Sequence, residues 1–360
     1  MFSPPFYLSL QSKVLFYSDM ITITTNASML GRNTFGIDVK AAVFGEYDTV
    51  EGLKMILTNE LIDGRKHQIW NIGQGSNILF SGNFDGVILH GKIKGIDIID
   101  ETDTEVTVRV GAGEIWDDVV AWAVGHGFYG AENLSAIPGE TGAAAVQNIG
   151  AYGAEFGNLV KHVEVLNTET LETETIAQSD CQYGYRDSLF KHQPAKQLYV
   201  VTAVVIRLSK AESFNLEYGN VKAALDGKEI TLANVRDAIV DIRACKLPDW
   251  TKTGNAGSFF KNPVISKEQF EGTKANYPNI PSYKVAGEDN KVKVPAGWLI
   301  ENSGLKGFRH GGAQVYEKQC LVLVNADNAS PSDIVELSDI VIRTVKEKFD
   351  IEISPEVNIL

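Results

Sequence analysis

The sequence predicts an α+β fold in more than one domain, on three observations. Segments rich in Val and Ile at Asp85–Leu89, Glu105–Val110, Val160–Leu166 and Leu198–Leu208 read as strands, and amphipathic helical patterns are fewer. Strands stand before and after those sparse helices, without the regular βαβ alternation of a parallel sheet. The chain has 360 residues, where one domain takes roughly 150.

Each element has its own reason. Val106, Val108 and Val110 alternate, as in a strand with one buried face. Leu198–Leu208 is a near-continuous apolar run, as in a strand covered on both faces. Trp116, Val119, Val120 and Ala123 recur at helical spacing, and Gly125 and Gly127 close that helix. Near the end, Ser330 is a candidate N-cap, with Pro331 at the first helical position and Asp333 three residues on. Ile334, Leu337, Val341, Val345 and Phe349 then form one apolar face.

Composition excludes several classes. Apolar residues make up 44% and charged residues 22%, ordinary for a globular protein with sizeable cores. No run reaches the ~18 apolar residues of a membrane span. The net charge of −13 argues against a surface that coats nucleic acid. Cys181, Cys245 and Cys320 are odd in number and far apart, which excludes a disulfide framework and fits a reducing cytoplasm. The six histidines show no metal-ligand spacing, so no metal is expected. Residues 1–30 hold two charged side chains, Lys13 and Asp19. They read as a disordered extension, or as a start placed ahead of a true one at Met20 or Met29.

Two phosphate-motif matches fail on context. Gly125–Gly130 fits GxGxxG but follows a helix, where the dinucleotide fingerprint needs a strand first. Gly86–Lys92 mimics a P-loop, yet Ile93 follows the lysine and the intervening residues read as an apolar strand. Gly73-Gln74-Gly75-Ser76-Asn77 is better placed, between the apolar runs Ile69–Ile72 and Ile78–Phe80. Its glycines let backbone N–H groups approach a phosphate, with Ser76 and Asn77 as further donors, and it fits an ordinary tight turn as well. In Ser135–Gly153, nine of nineteen residues are Gly or Ala, and Gln147, Asn148 and Tyr152 are set among them. Such a segment suits a large planar, phosphate-bearing cofactor, or alternatively a packing seam of small residues. Two separated Gly-rich segments favour the cofactor.

Three polar groupings remain. Tyr185-Arg186-Asp187 sets a guanidinium fork, suited to carboxylate or phosphate, beside a phenol and a carboxylate; an Arg–Asp surface pair is the plain alternative. Gly254–Pro263 holds Ser258 between small residues and two phenylalanines. With no GxSxG elbow, that serine suits proton donation better than nucleophilic attack. Glu356 lies almost at the C-terminus.

Together the motifs GQGSN, IPGxxG, QNIGAYG, GYRDSxFK, GNAGSFFKNP, AGWLIE and PEV occur, in that order, as in the UDP-N-acetylenolpyruvoylglucosamine reductase (MurB) family, which the chain resembles from Asn33 to Val357. The resemblance implies a two-subdomain FAD-binding fold of the vanillyl-alcohol oxidase type and a separate α+β substrate domain. Divisions would fall near residues 93 and 246: subdomain 1 over 31–93 with 351–360 returning to it, subdomain 2 over 94–246, and the substrate domain over 247–350. Leu216-Glu217-Tyr218-Gly219 is similar to the inserted loop of the family's longer type.

The implied reaction is NADPH-dependent reduction of UDP-N-acetylglucosamine enolpyruvate to UDP-N-acetylmuramate in peptidoglycan synthesis, through noncovalent FAD. Hydride would pass from reduced flavin N5 to the enolpyruvyl methylene carbon. The resemblance makes Arg186, Ser258 and Glu356 catalytic, Ser258 as the proton donor. It has Tyr185, Tyr218, Lys246 and Asn262 bind substrate. FAD would be held by Gly73, Gln74, Gly75, Ser76 and Asn77 and by Ile137, Pro138, Gly139, Gly142, Ala143, Gln147, Asn148, Gly150, Ala151 and Tyr152. The expected partners are small molecules alone, the expected state a monomer, and the expected location the cytoplasm. Other readings are a flavin-dependent alcohol or hydroxy-acid oxidase of the same superfamily and a catalytically silent nucleotide-sugar binding protein.

Overall fold

The computed structural model describes residues 13–18, 21–59, 62, 68–285 and 287–360. In chain order its first elements are β1 (Lys13–Ser18), β2 (Ile21–Ser28), β3 (Lys40–Tyr47), α1 (Val50–Leu57), β4 (Ile69–Ile72), β5 (Ile78–Leu79), β6 (Phe84–Gly91), β7 (Ile96–Glu101), β8 (Glu105–Gly111), α2 (Trp116–Gly125) and α3 (Thr141–Gln147). The chain gathers into two compact units. Unit 1 takes the residues up to Met29, Val39–Gly73 and Asn83–Arg236; unit 2 takes Leu30–Asp38, Gln74–Gly82 and Asp237–Leu360.

Unit 1 carries two five-stranded sheets. The first runs β1-β2-β3-β6-β4, antiparallel through β3 and parallel from β3 to β6 to β4. Its central β6 buries Val87, Ile88 and Leu89, so the P-loop mimic is indeed a core strand. The second sheet runs Thr173–Ala177, Val160–Asn167, Tyr199–Ser209, β8, β7, all antiparallel. The apolar run expected to be covered on both faces is its central strand, buried from Val200 to Ile206. Val106, Val108 and Val110 of β8 pack with Trp116, Val119, Val120 and Ala123 of α2 in one core, together with Ala144 and Ala145 of α3. The buried Trp116 donates its indole N–H to the Leu134 carbonyl at 3.1 Å. This meets the requirement that a buried polar atom be paired.

Unit 2 has a four-stranded sheet of Gly254–Ser258, Val322–Asn325, Ala313–Val315 and Arg309–His310. The helix Pro331–Phe349 opens with the expected capping box at Ser330 and Asp333 and buries Ile334, Leu337, Val341, Val345 and Phe349. The last strand, Asn358–Ile359, pairs in parallel with β5.

One expectation changes. Residues 21–28 are no extension: β2 pairs along its length with β3, and Ile21, Ile23 and Ala27 are buried. Apolar side chains every second residue gave that strand a core face, which the low charge of the region masked. Residues 1–12, 19 and 20 lie outside the described residues. The division expected near residue 93 falls between the two sheets of unit 1, while residues 30–38 and 74–82 group with the C-terminal part. Their backbone bonds explain why: Thr34 N–H reaches the Gly75 carbonyl, and Asn255 N–H reaches the Thr34 carbonyl, at 3.2 and 2.9 Å.

Candidate active site

In unit 1, α3 starts hard against the end of β8. Gly142 N–H donates to the Ala112 carbonyl at 2.9 Å, and a Cβ on Gly142 would stand 2.9 Å from that of Ala112. The glycine permits this approach. Gly139, Gly142 and Asn148 are buried, whereas Ile137, Ala143, Gln147, Gly150, Ala151 and Tyr152 are half-buried and Pro138 is exposed. Asn148, expected at the cofactor, is committed inward. Its amide donates to the Gly184 carbonyl at 2.7 Å and to Glu155 at 3.3 Å, and its oxygen accepts from Gly157 N–H at 2.8 Å. Lys191 donates to the Gln147 side-chain oxygen at 3.2 Å.

Arg186 sits in a tight turn closed by reciprocal backbone bonds between Gly184 and Asp187, both 3.0 Å. Its φ of 54° is the left-handed region, sparsely used by branched and long side chains. The guanidinium donates to the Gly150 carbonyl at 2.6 Å and the Asn148 carbonyl at 3.5 Å, and lies 5.4 Å from the Tyr185 ring centroid. Two carbonyls of QNIGAYG therefore orient the fork. A Cβ on Gly150 would stand 2.8 Å from Arg186 Nη1. The carboxylate of Asp187 is bonded to His192 at 2.8 Å.

Tyr218 is 43% exposed. Its ring lies beside Gly153, and Gly219 lies against the Tyr152 ring. Asn133 ties this loop down, its buried amide donating to the carbonyls of Tyr152 and Asn215, both at 2.8 Å.

In unit 2, Gly75 adopts φ +68°, and a Cβ there would fall 2.3 Å from the Arg32 carbonyl. The Asn77 amide donates to the Glu356 carbonyl at 3.4 Å. Ser258 ends its strand after an irregularity in register between Asn255 and Ser258. Such a bulge re-aims the side chain that follows it. Gly257 supplies the φ of 69°, and Asn255 accepts its N–H at 2.9 Å. Ser258 is half-buried. Glu356 is brought to it through the backbone: Glu356 N–H donates to the Phe259 carbonyl at 2.7 Å, Lys261 N–H to the Ser354 carbonyl at 2.9 Å. Asn262 accepts from Ala296 N–H at 2.9 Å, at the start of the helix Ala296–Asn302. Lys246 is the last residue of the helix Leu232–Lys246 and is exposed.

Sequence reasoning passed over several residues that hold these segments. The Asp117 carboxylate accepts from Ala136 N–H at 2.6 Å and takes both arms of Arg236 at 2.7 and 3.0 Å. His90 of β6 bridges two carboxylates, Nε2 to Glu140 at 2.9 Å and Nδ1 to Glu46 at 3.5 Å. Burial works against the imidazolium, but the bonds to Glu140 and Glu46 outweigh it and lift its pKa to about 9. The His90 bond, opposed by burial and helped by Lys92, holds Glu46 down to about 2. No sequence motif marks this group, because Glu46 and His90 meet only through the register of β3 on β6.

Added side chains at Gly142 and Gly150 would meet Ala112 and Arg186 of the chain itself. Residues 48–173 match the FAD binding domain family. Residues 249–360 match the family model "UDP-N-acetylenolpyruvoylglucosamine reductase, C-terminal domain". The UDP-N-acetylenolpyruvoylglucosamine reductase of Bacteroides fragilis strain YCH46 is 47% identical over 334 residues, 92% of this chain and 98% of the relative. That of Porphyromonas gingivalis is 43% identical, covering 91% and 96%. The crystal structure of the reductase from Thermus caldophilus is similar in fold, with a TM-score of 0.62 at 21% identity over 97% of this chain and 99% of that one. The chain belongs to the UDP-N-acetylenolpyruvoylglucosamine reductase family.

Proposed function

We infer that the protein reduces UDP-N-acetylglucosamine enolpyruvate to UDP-N-acetylmuramate in peptidoglycan precursor synthesis, with FAD as cofactor and NADPH as reductant. The 47% identity across 98% of a family reductase carries this reading. The bound flavin supplies hydride chemistry. The chain's own residues do the rest. Arg186, its fork pre-set by the Gly150 and Asn148 carbonyls, binds the substrate carboxylate and stabilises charge developing there. Ser258 delivers a proton from Oγ to the carbon next to that carboxylate. A serine is a weak acid, so it depends on being held close. Glu356 polarises the same end of the substrate.

Tyr185, Tyr218 and Asn262 bind substrate, with Lys246 as a point charge for the diphosphate. Gly73–Asn77 and Ile137–Tyr152 hold FAD, with Asn148 acting through its backbone and through Arg186. The protein works in the cytoplasm on small molecules, in keeping with three free cysteines. No helix among the described residues is long and apolar enough to cross a membrane.

An anaerobic absorbance trace tests the reading. NADPH should bleach the yellow flavin, and the enolpyruvyl sugar nucleotide should restore it. Restoration by oxygen alone would mark an oxidase, and no bleaching at all a silent binder.

A further inference from the structure

We propose that His90 is a positioning residue for flavin binding: by gripping the Glu140 carboxylate it holds the Ile137–Gly142 segment at the end of β4. The inference rests on the reading that these two places hold FAD. Glu140 is buried and lies between Gly139 and α3. Its Oε1 is 2.9 Å from His90 Nε2. Its Oε2 lies against Gly73, where an added Cβ would come within 3.0 Å. One carboxylate therefore touches both Gly-rich segments, and β6 holds it through His90. The far side of the imidazole is backed by Glu46, which Lys92 holds at 2.5 Å. The chain Lys92–Glu46–His90–Glu140 is a line of alternating charge ending at the Gly73 turn. Tyr47, beside Glu140 on β3, is spent on Asn71 at 3.0 Å. Glu114, whose carbonyl accepts Thr141 N–H, has its carboxylate on Gly95 N–H at 2.7 Å and near Lys94 at 3.5 Å.

The charge on His90 gives this grip a pH signature. With Glu140 in place the imidazolium persists to about pH 9, against an ordinary value near 6.5. Because the folded value is raised, the stabilisation is whole below about pH 6.5 and is lost as pH climbs through about 9. Flavin held by this arrangement should loosen as pH climbs through about 9, where the folded-state imidazolium gives up its proton.

The test dilutes the full-length holoenzyme in series and reads released flavin by its fluorescence, from pH 6.5 to 9.5. For the wild type we expect a dissociation constant that is flat to about pH 8 and rises severalfold by pH 9.5. His90→Gln keeps a neutral donor. It should raise the constant about tenfold at pH 7, the equivalent of one pKa unit, and flatten the profile. Glu46→Gln should fold and move the rise to lower pH by about one unit, since it removes one of the two carboxylates holding the proton. If His90→Gln lowers the melting temperature yet leaves both flavin affinity and its pH profile at wild-type values, His90 is merely structural and the inference falls. Hydrogen exchange separates this from failure of the underlying reading. Flavin-dependent protection at residues 69–73 and 137–148 supports the reading, and its absence overturns reading and inference together.

Discussion

Replacing Ser258 by alanine should separate proton delivery from every other role of the active site. Ser258 is half-buried, and its hydroxyl makes no hydrogen bond among the described residues, while its backbone pairs with Val322. Loss of Oγ therefore orphans no partner, and stability should change by no more than about 0.5 kcal/mol. That corresponds to about 1–2 °C in a domain of 150–250 residues. The catalytic loss is of another size. A missing general acid costs about 10²–10⁴ in rate, or roughly 2.7–5.4 kcal/mol of barrier. Anaerobic stopped-flow absorbance resolves where it falls. Flavin bleaching by NADPH requires no proton on carbon and should stay within about twofold of wild type. Reoxidation by the enolpyruvyl sugar nucleotide should slow at least ~10²-fold. Equal slowing of both phases, or a melting temperature lower by many degrees, would refute the assignment and make Ser258 structural.

Gly150→Ala places a methyl group 2.8 Å from Arg186 Nη1. The displaced fork should cost at least ~10-fold in kcat, in line with the sensitivity of catalysis to misplacement of about 1 Å. Tyr218→Ala loses ring packing and one phenolic bond, about 1–3 kcal/mol together, so calorimetry should show sugar-nucleotide Kd rising ten- to a hundredfold, and less for Tyr218→Phe. Ser330→Ala removes the acceptor for Asp333 N–H. It should destabilise the chain by about 1 kcal/mol in denaturant melts without changing either half-reaction.

Much was legible because short-range rules decide it. The faces of α2 and of the helix Pro331–Phe349, its capping box, and the four Val/Ile-rich strands all follow from side-chain period and from residues adjacent in sequence. The ordered motifs, through the family resemblance, are what pointed to Arg186, Ser258 and Glu356 as site residues. Long-range pairing was beyond such rules. Nothing near residue 23 says that β2 will find β3, and low charge there read as disorder. The Asn148 amide looked like a free donor until the fold supplied the Gly184 carbonyl that it binds. Glu356 neighbours Ser258 only because Phe259 and Glu356 share a backbone bond across 97 residues of chain. His90 is the clearest case. In sequence it is a polar residue ending an apolar run, with its carboxylates 44 and 50 positions away. Residue type and period set which faces a segment can bury. Tertiary structure alone chose sheet register and loop closure, and so which charges stand close enough to pair.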